Sequence, residues 1–189
     1  MRHPTVLIAA AALLIAACSP RDGKAGKPPE MALDQAPAKA SLEVSSPAFV
    51  ADGDIPKTYS AFGERATPPL AWSPGPAGTK AYALIVQDPD APTPRPFVHW
   101  IVFDIPAGVT ALEQNRLPRG AVQGNNSAAS ASWFSLSPPP GPAHAYHFQV
   151  FALDRPLGLK QGAGREEVVD AMNGRVLASG ELIGRYKAG

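Results

Sequence analysis

Three short polar segments interrupt the apolar runs of this sequence, and their residue types could form one binding site. Asp88 and Asp90 follow one apolar run, His99 lies inside another, and His144 and Tyr146 begin a third, two residues apart and so on one side of a strand. A carboxylate favours the charged form of a nearby imidazole. Two imidazoles, a phenol and backbone amides could hold a small anion, and the carboxylate could bind a ligand's ammonium group. The pattern indicates a small polar pocket at the edge of a β core.

Each segment also has a purely structural interpretation. Pro89 and Pro92 fix the backbone around the two aspartates, so that segment could be a rigid turn with solvated carboxylates. His99 could be a hydrogen-bonded core residue. His144 and Tyr146 could be a strand-end histidine and a core tyrosine. Spacing alone leaves these interpretations open.

Apolar runs between proline-rich segments predict the elements that position these residues. The chain contains 22 prolines, and proline is excluded from helix interiors and central strands. We therefore expect a mainly β domain of short strands joined by loops, rather than a parallel βαβ sheet. The clearest strands are 81–87, 98–105 and 146–153; weaker ones are 42–45, the vicinity of Tyr59 and 182–186; one helix is expected over 165–173, with Gly174 as its C-cap.

Alternation of side chains along a strand predicts the face that each polar residue shares. Asp88 falls on the same side of its strand as Tyr82, Leu84 and Val86. His99 has the parity of Ile101 and Phe103. Each of these polar side chains is thus expected to point where an apolar face points.

The start of the chain predicts export and lipid attachment. Arg2 and His3 are followed by twelve residues, 6–17, without a polar side chain. This run is too short for a bilayer, which needs about 20 apolar residues, and is typical of a secretory signal. Small residues before Cys18 resemble a bacterial lipobox, which predicts a signal peptide over 1–17 and a lipid on the Cys18 thiol. The alternative is a buried apolar helix with an incidental cysteine.

Residues 18–40 are interpreted as the lipidated cysteine and a disordered tether. The segment holds four prolines, several charges and no aromatic or β-branched residue, so it cannot bury enough apolar surface to become ordered. As a flexible coil, the 22 residues 19–40 would reach roughly 25 Å. Residues 41–189 are then expected to form one domain.

Charge and cysteine content exclude several classes of function. The net charge is +1 and includes no basic run, so no nucleic-acid partner is expected. Cys18 is the only cysteine, which excludes an intramolecular disulfide. The histidines and aspartates show no metal-ligand spacing, so we expect no metal and no cofactor.

At its polar segments the sequence resembles the phosphatidylethanolamine-binding proteins, also called Raf kinase inhibitor proteins, and most closely their bacterial branch. The resemblance covers residues 46–186. Its most specific part is the succession of Asp-Pro-Asp-Ala-Pro, the His-Trp strand and the second histidine segment. The matching stretches are Phe49, Gly53-Asp54-Ile55-Pro56, Tyr59, 68–72, 79–86, 88–92, 99–106, 144–154 and 180–186.

The resemblance implies a fold and a site. The fold would be a large antiparallel sheet packed on a smaller sheet, with short peripheral helices. The site would accept a phosphate or phosphorylethanolamine headgroup. By residue match its ligand-binding residues would be Asp88, Asp90, His99, His144 and Tyr146, with Asp90 supporting the others from the same loop. Bacterial members often pair, which makes a homodimer a possible assembly without fixing the oligomeric state, and no particular protein partner follows.

Two segments depart from the family pattern. The family usually has Gly-Pro-x-Pro-Pro before the second histidine, whereas residues 133–140 here read Trp-Phe-Ser-Leu-Ser-Pro-Pro-Pro. The preceding loop, 124–132, is rich in Asn, Ser and Ala. We therefore expect the upper wall of the pocket to differ in shape while its floor is retained.

The leading functional hypothesis is an exported, lipid-anchored binding protein that takes a small anionic or phosphorylated ligand and is not an enzyme. Because Ser19 rather than aspartate follows Cys18, the anchor is expected at the periplasmic face of the outer membrane of a Gram-negative cell. The alternative is an inhibitor or partner of an envelope protease or another protein. A hydrolase has the least support, since Ser135 and Ser137, the nearest candidate nucleophiles, lie outside a Gly-x-Ser-x-Gly elbow.

Overall fold

A computed structural model describes residues 30–188 of the chain. Its larger sheet has six strands in the order β1-β9-β8-β4-β5-β7. Neighbouring strands are antiparallel except β1 and β9, which are parallel. These strands are β1 (Ala40–Ser41), β4 (Ala81–Asp88), β5 (Phe97–Pro106), β7 (Val122–Gly124), β8 (His144–Leu153) and β9 (Val176–Tyr186).

A smaller sheet packs on one face of the larger sheet, called here the front face. It consists of β2 (Val44–Ser45), β3 (Leu70–Trp72) and β6 (Ala111–Leu112) in the order β2-β3-β6. The core between the two sheets includes Leu84 and Val86 of β4. The mainly β class expected from the sequence pattern is confirmed, and so are the large and the small sheet that the family resemblance implies.

The opposite, back face of the larger sheet is covered by helices α1 (Ala32–Gln35) and α2 (Arg165–Met172). Ile85 of β4 and Phe151 of β8 pack there against Val168 of α2. All eight residues of β4 are buried, because β4 is central and covered on both faces. Its continuous apolar run follows from that position.

The predicted helix is confirmed to within one residue of its C-terminal end. α2 covers Arg165–Met172, and Val168, Val169 and Met172 are its buried residues. Gly174 follows with φ +73°, a left-handed conformation that glycine adopts without the steric cost of a Cβ.

Of the weaker strand predictions, the one near Tyr59 is wrong. Lys57–Tyr59 form a 3₁₀ turn, in which the amide of Tyr59 donates to Pro56 and that of Ser60 donates to Lys57. These local bonds occupy both amides, and pairing with a neighbouring segment is limited to an isolated bridge between Ser60 and Leu136. The prediction over 182–186 is confirmed but too short, since β9 begins at Val176. Of the strand predicted over 42–45, only Val44–Ser45 form a strand, β2 of the smaller sheet, while β1 ends just before the predicted range at Ser41.

The predicted tether extends too far along the chain, because the packed structure begins well before residue 41. Ala32 and Ala36 are 0% and 1% exposed and belong to the core of the back face. The Ala32 amide donates to Gln87 Oε1 at 2.9 Å, and β1 pairs with β9. The small alanine side chains allow this close packing, and the partly buried Leu33 packs against the same core. The predicted signal peptide and lipidated Cys18 lie outside the described residues.

None of the helices within residues 30–188 has the length and the apolar character that crossing a bilayer requires.

Candidate functional site

A cavity of about 520 Å³ opens at the end of the larger sheet where β4 ends and where β5 and β8 begin. Four of the five residues predicted to bind a ligand line it: Asp88, His99, His144 and Tyr146. We call these four residues the polar floor. The structure thus brings together side chains from three strands. The first of these residues, Asp88, and the last, Tyr146, are 58 positions apart in the sequence (146 − 88).

Asp88 is placed in the cavity by its position in β4. The pairing of β4 with β8 is regular from Ala81 to Gln87, so Asp88 keeps the parity of Val86 and lies toward the front face, as the sequence predicts. Its side chain is only 4% exposed. A carboxylate buried to this extent requires hydrogen-bond partners.

His99 reaches the same cavity through a β-bulge. Val86 of β4 pairs with Trp100, and Gln87 pairs with Val98, so His99 is an extra residue in β5. A bulge of this kind re-aims a side chain. The predicted parity of His99 is therefore wrong, because Ile101 and Phe103 pack in the core of the back face while His99 lines the cavity with Asp88.

The loop between β7 and β8 provides the hydrogen bonds that the bulge needs. The Val98 amide donates to Ser127 Oγ at 2.8 Å, and the Phe134 amide donates to the carbonyl of His99 at 2.8 Å. Asn126 organises this loop, since its Oδ1 accepts from the amides of Ala128 and Ser130. The Asn- and Ser-rich composition that departs from the family pattern thus supports the backbone at His99.

His144 and Asp88 form a buried pair. Nδ1 of His144 lies 2.8 Å from Asp88 Oδ2, and because a carboxylate only accepts, Nδ1 carries the proton. This bond leaves Nε2 of His144 without a hydrogen-bond partner among the described residues. The other oxygen of Asp88 accepts from the amide of Asp90 at 2.9 Å.

His99 is held in the same tautomer by a different acceptor. Its Nδ1 donates to the carbonyl of Phe134 at 2.7 Å, so the neutral ring carries its lone pair on Nε2. That Nε2 lies 4.0 Å from Asp88 Oδ2, beyond direct hydrogen-bond distance. Burial lowers the pKa of His99 and outweighs the Phe134 carbonyl and Asp88, which both favour the charged form.

Tyr146 contributes a hydroxyl group that has no hydrogen-bond partner although the residue is fully buried. Its ring meets that of His99 edge-on, with centroids 5.1 Å apart. Burial, reinforced by the charge of Asp88, raises the pKa of Tyr146. The hydroxyl therefore stays protonated and can donate a hydrogen bond.

The polar floor can bind either sign of charge, depending on protonation. With both imidazoles neutral, His99 Nε2 and Asp88 offer acceptors to a ligand's ammonium or hydroxyl group. With His99 protonated, its Nε2–H and the Tyr146 hydroxyl become donors to an oxyanion. The polar floor therefore suits a ligand that has both a hydrogen-bond donor, such as a hydroxyl or an ammonium, and anionic oxygens.

Asp90, predicted among the ligand-binding residues, does not line the cavity. Its Oδ2 accepts from the amide of Ala145 at 2.8 Å, which joins the loop after β4 to the start of β8. Asp90 therefore holds the two strand ends that carry Asp88 and His144.

Another histidine of β8, His147, lies on the back face and is separate from the cavity. Its Nδ1 bonds to Glu181 Oε1 at 2.9 Å, and Gln149 donates to the same oxygen. Burial alone would raise the pKa of Glu181, but these two hydrogen bonds and the charge of His147 hold it below its usual value. This pair is a structural counterpart to the His144–Asp88 pair.

The altered segment 133–140 leaves the cavity open and supplies its wall. Phe134, Ser137 and Pro138–Pro140 line it. Phe97 completes the aromatic side, with its ring centroid 5.1 Å from that of Phe134. The sequence placed segment 133–140 at the pocket wall but did not assign Phe97 to it. Ser137 makes no hydrogen bond to His144, and Ser135 does not line the cavity.

Comparison with protein-family models matches residues 45–187 to the family described as Phosphatidylethanolamine-binding protein. A UPF0098 protein of Methanothermobacter thermautotrophicus is 42% identical over 153 residues, which cover 78% of this chain and 100% of that protein. A Mycobacterium tuberculosis protein named as lipoprotein LppC is 34% identical over 153 residues, covering 80% of this chain and 75% of that protein.

Solved structures show the same similarity. A phosphatidylethanolamine-binding protein homologue from Chlamydia trachomatis superposes with a TM-score of 0.75 at 35% identity, covering 79% of this chain and 99% of that one. YBCL of Escherichia coli, described as a member of the mammalian PEBP family, superposes with a TM-score of 0.74 at 32% identity, covering 79% of this chain and 100% of that one.

Proposed function

We infer the function from two facts: the chain belongs to the phosphatidylethanolamine-binding protein family, and it buries an unpartnered tyrosine hydroxyl beside two histidines and an aspartate. We propose that it is an exported, lipid-anchored binding protein whose cavity takes a small phosphate- or phosphorylethanolamine-type group. The Tyr146 hydroxyl is the observation that carries this proposal. A buried polar atom without a partner costs about 1–3 kcal/mol, and a bound oxyanion would offset that cost.

The geometry gives each floor residue a role in the proposed complex. Phosphate oxygens would accept from the Tyr146 hydroxyl and from a protonated His99. The ammonium of phosphorylethanolamine would lie near Asp88, which keeps unused acceptor capacity on both oxygens. His144 would remain bonded to Asp88 and present Nε2 to the ligand.

The proposed location rests on the start of the sequence and on one relative. Residues 1–17 have the pattern of a signal peptide, and Cys18 follows small residues. One relative is named as a lipoprotein. We propose a lipid on Cys18 and a position at the periplasmic face of the outer membrane.

The cavity supports ligand binding better than hydrolysis. His144 is oriented by a buried aspartate, as in a hydrolase, but no nucleophile among the described residues hydrogen-bonds to it. We therefore propose no catalytic role for Ser135 or Ser137.

Calorimetric titration of phosphate and of phosphorylethanolamine into the purified chain at pH 6 tests the proposal. We expect saturable binding that His99→Ala and His144→Gln abolish. The matched control is His147→Gln, which changes the same residue type on the same strand but on the back face, and it should bind as the unmodified chain does. Absence of saturation in the folded, unmodified chain would contradict the proposal and favour an inhibitor or partner role instead.

A further inference from the structure

Among residues 30–188, two of the three large apolar side chains that are exposed lie at the mouth of the cavity. Phe62 is 52% exposed and Phe134 is 37% exposed, and both line the cavity together with Pro138–Pro140. We call these residues the apolar rim. Val50 is the one other exposed large hydrophobic residue between residues 30 and 188. Single exposed apolar residues are ordinary, whereas a cluster around a binding cavity marks an interaction surface.

The described chain begins at the same end of the molecule as the cavity. The amide of Ala32 bonds to Gln87, the residue directly before Asp88, and Arg165 donates to the carbonyl of Glu30 at 2.8 Å. Thus residues 30–36, which lead toward Cys18, pack on the back face of the sheet behind the end of β4 that carries Asp88.

The loop after β4 connects these two features. Arg95 in that loop bonds to Glu166 of α2 at 2.6 Å, next to Arg165 and the start of the described chain. The same loop supplies Pro92 and Thr93 to the cavity. The cavity mouth and the incoming chain are therefore two sides of one end of the domain.

The length of the preceding segment limits how far this end can move from an anchor. Residues 19–29 separate Cys18 from Glu30, eleven residues in all, and even at full extension a chain of that length spans no more than about 40 Å. A domain of about 160 residues is about 40 Å across. The end that carries the cavity is thus the end held nearest to a lipid on Cys18.

We propose that the apolar rim faces and enters the surface of the phospholipid bilayer to which Cys18 is anchored, so that the cavity receives its headgroup directly from the membrane. This inference rests on the proposed function, since it takes both the lipid anchor and the headgroup site from it. The floor binds the polar group while Phe62 and Phe134 contact the acyl boundary, as interfacial apolar side chains do.

Charge around the rim fits a bilayer with anionic lipids. The turn that carries Phe62 also exposes Lys57 and Arg65, with Glu64 as the acidic residue between them. Basic side chains near an anionic surface strengthen its attraction. The net positive charge of this turn complements such a membrane.

The proposal is tested by measuring membrane depth with nitroxide labels in the full, acylated chain reconstituted into vesicles of phosphatidylethanolamine and phosphatidylglycerol. Because Cys18 is the only cysteine and its thiol carries the lipid, an introduced cysteine is the single labelling site. Labels are placed by Phe62→Cys and Phe134→Cys. The control is Lys80→Cys, exposed at the opposite end of β4, about 25 Å away.

We expect labels at 62 and 134 to collide several-fold more with oxygen than with a water-soluble nickel complex, and the label at 80 to show the reverse preference. Equal aqueous accessibility at all three positions would overturn the proposal and leave the rim to a protein partner. Mass spectrometry first verifies the acyl group, and a chain without one would overturn the anchor and this inference together.

Calorimetry on the same proteins in detergent separates the two proposals. Saturable phosphorylethanolamine binding combined with aqueous labels would overturn only the membrane-facing rim. Immersed labels without headgroup binding would support the orientation of the rim and contradict the proposed ligand.

Discussion

His99 Nε2 and Asp88 Oδ2 face each other at 4.0 Å with no hydrogen bond between them. The tautomer of His99 is set on the far side of its ring by the Phe134 carbonyl, and Asp88 is already bonded to His144. Two acceptors therefore flank one gap whenever His99 is neutral. A ligand group that donates hydrogen bonds, such as an ammonium, would give both acceptors a partner.

The carboxylate of Asp88 should discriminate between phosphorylethanolamine and phosphate. It attracts an ammonium and repels an oxyanion, so Asp88→Asn should lower the affinity for phosphorylethanolamine relative to phosphate by about tenfold, or about 1.4 kcal/mol. The amide keeps an acceptor for Nδ1 of His144. Calorimetric titration of both ligands measures this ratio.

Asp170→Asn is the matched control for that experiment, because it removes an equal charge from an exposed position on α2. It should leave the ratio unchanged. A ratio that Asp88→Asn also leaves unchanged would show that no ammonium is bound near Asp88.

Anion affinity should rise as the pH falls from 8 to 5. Burial lowers the pKa of His99, so the imidazole is neutral at neutral pH, and the positive charge that an anion would favour comes with the uptake of a proton on binding. Asp88, His144 and Tyr146 are the titratable groups around it. Uptake of one proton on binding gives an increase of at most about tenfold per pH unit.

Sulfate is the suitable probe for this pH dependence, because its charge is constant over the window. Affinities from isothermal titration at each pH should follow the rise in the unmodified chain and stay flat in His99→Ala. A flat profile in the unmodified chain would remove the charged form of His99 from the binding mechanism.

Tyr146→Phe should make the protein more stable and weaken ligand binding. The substitution removes a buried hydroxyl without a partner, which should raise the free energy of unfolding by about 1 kcal/mol. Loss of the same donor should lower phosphate affinity by about five- to tenfold. Denaturant unfolding and calorimetry measure the two effects.

Tyr59→Phe provides the contrast, because the Tyr59 hydroxyl bonds to Gln114 and lies outside the cavity lining. This variant should lose stability and keep its ligand affinity. If Tyr146→Phe destabilised the unliganded protein, the hydroxyl would have an internal partner and the main support for the proposed site would fail.

Ser127→Ala should weaken the site although Ser127 does not line the cavity. The substitution removes the acceptor of the buried Val98 amide, at a cost of about 1–2 kcal/mol in unfolding free energy. Because that bond supports the bulge at His99, ligand affinity should fall several-fold. Ser130→Ala, which removes only an exposed hydroxyl contact with Ser132, should change neither; equal effects of the two variants would contradict this role.

The N-terminal segment should contribute measurably to stability. Removing residues before 42 exposes the surface under Ala32 and Ala36 and takes away the donor to Gln87. We expect a chain that begins at residue 42 to lose about 2 kcal/mol of unfolding free energy relative to one that begins at residue 30, measured in urea. Equal midpoints would mean that the segment packs without stabilising the domain.

The sequence predicted the strands and the helix whose buried residues form a simple pattern of apolar positions along the chain. β4, β5 and β8 are apolar runs bounded by proline and polar residues, so their existence could be inferred from composition alone. Asp88 was assigned to the correct face because β4 keeps a regular alternation up to its end. In the predicted helix, the apolar residues Val168, Val169 and Met172 fell on one face, and Gly174 followed the last turn.

The remaining features depend on contacts that a local pattern does not contain. The bulge at His99 shifts the alternation of β5 by one residue, and its partners, Ser127 and Phe134, are far along the chain. The helix at Ala32 packs because alanine is small, and the same small residues made the segment resemble a tether. The apolar rim likewise comes from two distant loops.

The pairing of β1 with β9 has a consequence for the order in which the protein can fold. The first strand of the larger sheet is completed by the last, and central β4 needs β8 as its second neighbour. The first of these pairings needs the chain as far as β9, and the second needs it as far as β8. A chain translocated unfolded, as the proposed secretion route requires, would therefore emerge with β4 paired only to β5 until β8 had crossed, and the sheet would close only after β9 had crossed.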